Sequence, residues 1–230
     1  MKFKKSILVG TILLGITPLS FGQIANTAHD FTLSRAHWNL ANEMCNVCHA
    51  PHNTDVSQAH NPLWIHTTTQ ANYTLYTGYT FSTKGGVGQQ YGTPDGSSKL
   101  CLSCHDGTVA INSVNGAVLD TIGGKFGSVM MGTTHLNSTI SPTTGLAGSH
   151  PISFVYDQNL VGKDPLLNNP LTTITPSGNG VTIAKELLDA NGKVQCTSCH
   201  DPHLNTTTNW KYVRYNNNVG SQLCLVCHNK

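Results

Sequence analysis

All eight cysteines of this 230-residue chain belong to one short motif, in which the second cysteine is always followed by histidine. The motif, C-x-x-C-H, occurs four times, at Cys45–His49, Cys101–His105, Cys196–His200 and Cys224–His228. A zinc site needs four ligands around one ion, and each motif supplies three that lie too close together to complete a tetrahedron. A disulfide within one motif would be small, strained and reducible, and it would leave the four histidines unexplained.

Covalent haem attachment explains the spacing, and four such motifs are typical of it. Haem carries two vinyl groups on adjacent pyrroles, and two thiols separated by two residues on a helical turn reach both and form thioethers. The next residue, histidine, lies over the ring and binds the iron from one face. The sequence therefore predicts four haem c groups, attached through Cys45, Cys48, Cys101, Cys104, Cys196, Cys199, Cys224 and Cys227 and bound at the iron by His49, His105, His200 and His228.

The composition predicts a core that side chains alone do not fill. Hydrophobic residues make up 38% of the chain and charged residues 10%, and both values are low for a globular protein. Four flat apolar haems, stacked near one another, would supply the missing core, so folding should depend on haem attachment. The expected fold is a multihaem cytochrome c. It is a mostly irregular chain with short helical turns at the haem motifs and a few short strands.

The second ligand of each iron decides much of what a haem protein does. An open position can bind and reduce a small molecule, whereas two axial histidines leave a closed centre suited to electron transfer. Twelve histidines are present and only four lie in the motifs, so histidine is in surplus for this role. We therefore expect four bis-histidine haems.

Two candidate second ligands follow their motifs closely. His52 and His203 each lie three residues past a motif histidine, in the repeated pattern H-x-P-H. The intervening proline ends the helical turn and forces an extended step. A side chain leaving there is poorly placed to reach the far face of its own haem, but it can reach a neighbouring haem. The spacing thus predicts haem pairs in near contact.

The other candidates lie in loops. His150 is followed by proline and an apolar run that could line a haem edge, and we expect it to bind iron. The second ligand of the fourth haem is either His29, near the mature N-terminus, or His66, which lies two residues after Trp64. The three other histidines are expected to be solvated loop residues: His37, His60 and His135.

The first residues predict export. Lysines at the start, an apolar run from Ile7 to about Phe21 and small residues at Ser20 and Gly22 form the pattern of a secretory signal, residues 1–22. The apolar run is shorter than the roughly 20 residues that a membrane span needs. No second run of spanning length follows, so we expect a periplasmic or extracellular protein without a transmembrane segment in the mature chain.

The order of the motifs predicts a duplicated two-haem unit. Within the tetrahaem domain, residues 23–230, the units are residues 23–110 and 184–230, and a segment rich in Gly, Thr and Asn joins them. Residues 172–183 contain Ser177-Gly178-Asn179-Gly180 between β-branched residues, which predicts a hairpin. Residues 184–190 predict a short helix that ends at Asn191-Gly192.

The chain resembles the multihaem c-type cytochromes with doubled C-x-x-C-H motifs. The resemblance is carried by the four motifs, the two H-x-P-H extensions, His29-Asp30-Phe31, Pro62-Leu63-Trp64 and His150-Pro151-Ile152-Ser153. It is closest to small tetrahaem members exported by metal-reducing bacteria, including those that polymerise into extracellular filaments. The resemblance implies bis-histidine haems in a continuous chain. In filament members an axial histidine can come from the adjacent subunit, and His29 is the candidate for that role.

These patterns predict a protein that transfers electrons in periplasmic or extracellular respiration and is not an enzyme. Its expected partners are other redox proteins or extracellular electron acceptors, with self-association into a filament as a further expectation. The chain lacks a cluster of lysine and arginine beyond its first five residues, which argues against nucleic acid as a partner. The alternative is a multihaem reductase of the nitrite or hydroxylamine type, which would need one haem with an open face.

Overall fold

A computed structural model describes most of the chain outside its first 23 residues. The described residues are 24–32, 36, 38–39, 42–50, 63–76, 93–118, 128–131, 145–204, 212–218 and 220–229. The predictions for residues 1–22, His37, His52, His60 and His135 lie outside them. The expected fold class is confirmed in its coarse form, because the described residues form a few short helices and small strands in a mostly irregular chain. None of the helices in this part of the chain has the length and apolar character needed to cross a membrane.

The longest described helix, α1, spans Gly96–His105 and ends with the second haem motif. Asp95 precedes it with extended backbone, and Gly96 enters it with a φ of +50°, which glycine adopts at little cost. Leu100 and Leu102 lie on its buried side. The sequence analysis predicted only a helical turn at this motif, and the helix extends beyond it because residues 96–100 are packed against the third motif.

Two antiparallel strand pairs connect distant parts of the chain. Strands β1 (Ser113–Val114) and β2 (Ala117–Val118) form a hairpin. Its turn residues Asn115 and Gly116 both have positive φ, as the two-residue turns favoured in hairpins require. Strand β3 (Phe154–Val155) pairs with β4 (Lys193–Val194). The second pair carries the chain directly into the third haem motif.

The remaining helices are short. They are α2 (Gln158–Lys163), α3 (Ile183–Glu186), α4 (Cys196–Cys199) and α5 (Gln222–Cys227). The Asp157 side chain caps α2 by accepting the backbone N–H of Leu160 at 2.9 Å. The larger apolar cluster lies among α2, α3, α5 and the second strand pair, and consists of Phe154, Tyr156, Leu160, Ile183, Leu187, Val194, Tyr215 and Val226.

Residues 172–194 differ in detail from the sequence prediction. The predicted turn is present, since Ile174 pairs antiparallel with Thr182. The predicted helix over residues 184–190 is wrong in its bounds, because α3 ends at Glu186. Leu188 instead pairs in extended form with Val194 across a turn closed by the Asp189 side chain. Tertiary pairing therefore takes residues that local helix propensity alone would have kept in the helix.

Candidate haem sites

The four motifs share a local turn. In the first, third and fourth motifs, the histidine N–H donates to the carbonyl of the first cysteine at 2.9 Å. This bond spans four residues, as in an α-helix, and brings the two cysteines to neighbouring positions on one turn. The second motif forms the end of α1. The predicted helical turn at the motifs is therefore confirmed.

Three motif histidines also begin short antiparallel pairings. His49 pairs with Trp64, His200 with Val213 and His228 with Leu167. The pairing of His228 joins its motif to a segment distant in sequence, and the other two join their motifs to the chain on the far side of a loop. The backbone of these histidines is fixed from two directions, by the turn before it and by the pairing after it.

The histidine rings come together in three pairs. The ring centroids of His49 and His203 are 6.2 Å apart. Those of His105 and His29 are 6.1 Å apart. Those of His228 and His150 are 6.3 Å apart. Each pair combines one motif histidine with one of the candidate second ligands.

This separation fits one metal ion between two imidazoles. An imidazole nitrogen binds a metal at about 2 Å, and the ring centre lies about 1.1 Å beyond it, so two rings on opposite sides have centroids about 6 Å apart. Three independent pairs lie at this spacing. The side chains present therefore fit haem iron held between two histidines.

The second ligands differ in what surrounds their other ring nitrogen. His150 Nδ1 lies 2.8 Å from the Pro151 carbonyl oxygen. His203 Nδ1 lies 3.4 Å from an Asp201 carboxylate oxygen. His29 Nδ1 is buried and has no hydrogen-bond partner among the residues that the structure describes. In all three, Nδ1 is engaged with or enclosed by protein, which leaves Nε2 as the nitrogen available to iron.

His29 is the most enclosed of the three. Its ring stacks on Tyr212, with centroids 4.7 Å apart and an interplanar angle of 23°. Its backbone N–H donates to the Tyr212 hydroxyl at 3.0 Å. Burial, together with smaller effects of the nearby His105 and His203, lowers the pKa of His29 to about 4. The ring is neutral at physiological pH, which is the protonation state that binds metal.

His66 is placed differently. It is 1% exposed, with Nδ1 2.9 Å from the Thr67 carbonyl oxygen and Nε2 3.1 Å from the Ala110 carbonyl oxygen. Both ring nitrogens therefore face backbone acceptors. Cys104 Sγ lies 3.4 Å from Nε2. His66 thus packs beside the attachment point of the second motif.

The cysteines of successive motifs lie close together. Cys101 and Cys196 lie close enough to affect each other: Cys101 lowers the pKa of the Cys196 thiol, and Cys196, together with burial, raises the pKa of Cys101. Burial raises the pKa of Cys104, and Cys48 of the first motif raises it further. Burial raises the pKa of Cys227 to about 12, with smaller contributions from cysteines of the third and fourth motifs. Each motif is therefore a neighbour of the next.

A polar seam joins the second and third motifs, and the sequence analysis missed it. Gln195, directly before the third motif, is 1% exposed. Its Oε1 accepts from the Ser98 hydroxyl at 2.6 Å and from the Ser153 hydroxyl at 3.0 Å. Its Nε2 donates to Asp95 at 2.9 Å and to Asp189 at 2.8 Å. No signal in the sequence distinguishes this glutamine from a solvated one.

A second missed feature follows the second motif directly. Asp106 is 2% exposed and accepts from the Thr69 hydroxyl at 2.6 Å and from the Tyr73 hydroxyl at 2.5 Å. Its other oxygen accepts from the Thr108 backbone and side chain at 2.8 and 2.7 Å. A buried carboxylate with this many donors is fully satisfied. It ties residues 69–73 to the C-terminal end of α1.

His200 and His52 complete the predicted ligand set. His200 follows α4 as its C-cap, in extended conformation. His52, the other H-x-P-H histidine, lies outside the described residues. Iron binding by His52 therefore stays a prediction from the sequence.

Comparison with known families supports a multihaem c-type cytochrome. The family described as doubled CXXCH motif matches residues 189–230, which contain the third and fourth motifs. The C-x-x-C-H motifs indicate covalently bound haem c, and the doubled motif suggests electron transfer. A search of curated proteins found no match.

Proposed function

We propose that the chain is an electron-transfer protein with four haem c groups, each held between two histidines. The observation that carries this proposal is the spacing of the three histidine pairs. All three separations fall between 6.1 and 6.3 Å, and each pair contains one C-x-x-C-H histidine. Other ring pairs, such as Trp64 and His66 at 6.2 Å, have a similar separation, so the composition of the three histidine pairs carries the argument together with the distance.

The pairing crosses between the two repeated units. His49 of the first motif faces His203, which follows the third motif. The same H-x-P-H pattern follows the first motif, so the reciprocal partner of His200 is His52. Each long motif then supplies the second ligand of the other, which agrees with the expectation that this histidine reaches a neighbouring haem.

His29, and not His66, is the second ligand of the haem at His105 in this proposal. The support is the 6.1 Å separation of the His29 and His105 rings and the position of the buried His66 ring, which lies beside the Ala110 carbonyl oxygen and the Cys104 sulfur. His29 thereby acts within its own chain. An axial histidine borrowed from an adjacent subunit is not needed at this haem.

Two histidines on one iron leave no position for a substrate, so we assign the protein no catalytic activity. Bound haem supplies iron that takes up and releases one electron, and a row of such centres carries electrons across the protein. The chain holds neighbouring centres at fixed spacing through the polar seam around Gln195 and through the short pairings at three of the motif histidines. The competing reductase assignment requires one iron with an open face.

The setting of this function is also part of the proposal. Residues 1–22 have the features of a secretory signal, which supports action in the periplasm or outside the cell. The electron donors and acceptors would be other redox proteins or extracellular acceptors. Self-association into a filament would extend the row of haems, and the resemblance in sequence supports it. Electron microscopy of secreted material tests this last point, and particles of single subunits would contradict it.

The central test is the ligation of the holoprotein. The pyridine haemochrome spectrum should give four covalently attached haems per chain, and the visible spectrum should be low-spin without change on adding cyanide. His203→Ala should convert one haem in four to high-spin, because the iron at His49 loses its second ligand. His66→Asn is the matched control, and all four haems should stay low-spin. A high-spin band in the wild-type protein, or an unchanged spectrum in His203→Ala, would overturn the proposal.

A further inference from the structure

We propose that the surroundings of the second ligands determine the order of the reduction potentials of three haems. The haem bound by His203 has the lowest potential, the haem bound by His150 an intermediate one and the haem bound by His29 the highest. The inference rests on the proposed bis-histidine ligation. It assigns a direction of electron flow to residues that would otherwise be described only as ligands.

The ranking follows from the group that lies beside the ring nitrogen that does not bind iron. A partner that accepts from this N–H makes the imidazole a stronger electron donor to the metal. A stronger donor stabilises ferric iron more than ferrous iron, so it lowers the reduction potential. A carboxylate does this more than a backbone carbonyl, because a charged acceptor forms the stronger interaction.

Of the three second ligands, His203 is the one with a charged group beside its ring. Its Nδ1 lies 3.4 Å from Asp201 Oδ1, an ion-pair contact longer than an ordinary hydrogen bond, so the negative charge carries the effect. The same oxygen accepts the His203 backbone N–H at 3.0 Å, which fixes the carboxylate beside the ring. Arg214 is 3.8 Å from the other oxygen and offsets part of the charge without replacing the contact. The His203 side chain is 53% exposed, and solvent also favours the more charged ferric state.

His150 has a neutral partner. Its Nδ1 lies 2.8 Å from the Pro151 carbonyl oxygen, and the residue is exposed. The carbonyl supports the imidazole less than a carboxylate does. The haem at His228 therefore lies above the haem at His49.

His29 has no acceptor in the part of the chain that the structure describes. Its Nδ1 is buried without a hydrogen bond, and Tyr212 covers the ring face. The tyrosine hydroxyl is directed to the His29 backbone, where it accepts the N–H at 3.0 Å, and not to the ring. A poor donor in an enclosed, apolar position disfavours ferric iron on both counts, so this haem holds its electron most strongly.

The two extremes of the ranking are neighbours. Tyr212, whose ring stacks on His29, accepts the backbone N–H of Asp201 at its carbonyl oxygen at 2.9 Å, and Asp201 is the residue beside the His203 ring. An electron on the His49–His203 haem therefore has its strongest acceptor next to it. The His105–His29 haem becomes the place where the first reducing equivalent settles.

Redox titration of the holoprotein, followed by absorbance, tests the ranking. Each haem gives one reduction step, here called a wave, and each variant shifts the wave of one haem and so identifies it. Asp201→Asn keeps the oxygen that accepts the His203 backbone but removes the charge, and it should raise one wave. Tyr212→Ala should admit water to His29 Nδ1 and lower another wave, while Tyr212→Phe keeps the ring cover and should leave that wave in place. Each shift should be about tenfold in electron affinity, or about 59 mV for a one-electron couple. His150→Met marks the third wave.

In the wild-type protein, the wave that Asp201→Asn shifts should have the lowest reduction potential. The wave that His150→Met shifts should come next, and the wave that Tyr212→Ala shifts should have the highest potential. Any other order overturns the ranking, as does an equal response of Tyr212→Phe and Tyr212→Ala. Tyr212→Leu replaces the alanine variant if that variant does not load haem. Four low-spin haems with the wrong order reject this inference alone, whereas a high-spin wild-type haem rejects the proposed function.

Discussion

Replacing Gln195 by leucine should destabilise the holoprotein by about 3 kcal/mol. The side chain is 1% exposed and makes four hydrogen bonds. Leucine has similar volume, so the loss comes from polar groups and not from a cavity. Two of the bonds are to the carboxylates of Asp95 and Asp189, and two are from the hydroxyls of Ser98 and Ser153.

The magnitude follows from the four partners. Ser98 is 0% exposed and Ser153 6%, so each hydroxyl loses its acceptor in a place that water does not reach. We assign about 1 kcal/mol to each. The side chain of Asp95 is 46% exposed, so water replaces much of its lost bond. The two carboxylates together then contribute about 1 kcal/mol.

Urea unfolding of the haem-loaded protein, followed by circular dichroism in the Soret region, measures this change. Gln222→Leu is the matched control, because Gln222 is exposed in the first turn of α5 and the same substitution should cost less than about 0.5 kcal/mol there. A loss below about 1 kcal/mol for Gln195→Leu, or equal losses in the two variants, would refute the assignment of this seam as a structural link between the second and third motifs.

Two further predictions concern a close approach and an ion pair. Gly145→Ala should lower the free energy of unfolding, measured in urea, by about 2 kcal/mol or more, because the new Cβ would lie 2.4 Å from the Thr74 backbone N and O. Gly178→Ala is the control: Gly178 also has positive φ, but nothing lies within 4 Å of its new Cβ, so the loss should be clearly smaller. Burial acts to raise the pKa of Asp95, but the hydrogen bond from Lys193 and another donor outweigh it and lower the pKa. The ion pair therefore stabilises the folded protein fully above the pKa of the carboxyl in the unfolded chain, about 3.9, and this stabilisation is lost as pH falls through the lower pKa in the folded protein. Lys193→Gln should therefore lower the urea midpoint of unfolding at pH 7. The midpoint of this variant should also decrease less than that of the wild type between pH 7 and about pH 3, and an equal decrease in the two proteins would contradict this.

The local part of each site could be predicted from the sequence. A C-x-x-C-H turn is decided by residues that are neighbours in the chain, and the fourth motif is indeed found as the last turn of α5 with His228 after it. The turn within residues 172–183 was also predictable, because Gly178 and Gly180 supply the positive φ that it needs. Short-range chemistry alone fixes both features.

The links between motifs could not be predicted. Ser98 and Gln195 are 97 residues apart, and serine and glutamine are ordinary surface residues unless the fold encloses them. The choice between His29 and His66 depended on distant groups as well. His66 is engaged by the Ala110 carbonyl, 44 residues away, and His29 is covered by Tyr212. Neither contact leaves a trace in the local sequence.

The hydrogen bond between His29 and Tyr212 joins residues 183 positions apart. His29 is synthesised well before Tyr212. A contact of such long range forms late, because the chain between the two residues must be present before the loop can close. Shortened chains that stop before Tyr212 should therefore leave the His29 ring uncovered, and the segment around His29 stays open to proteases until Tyr212 has been made.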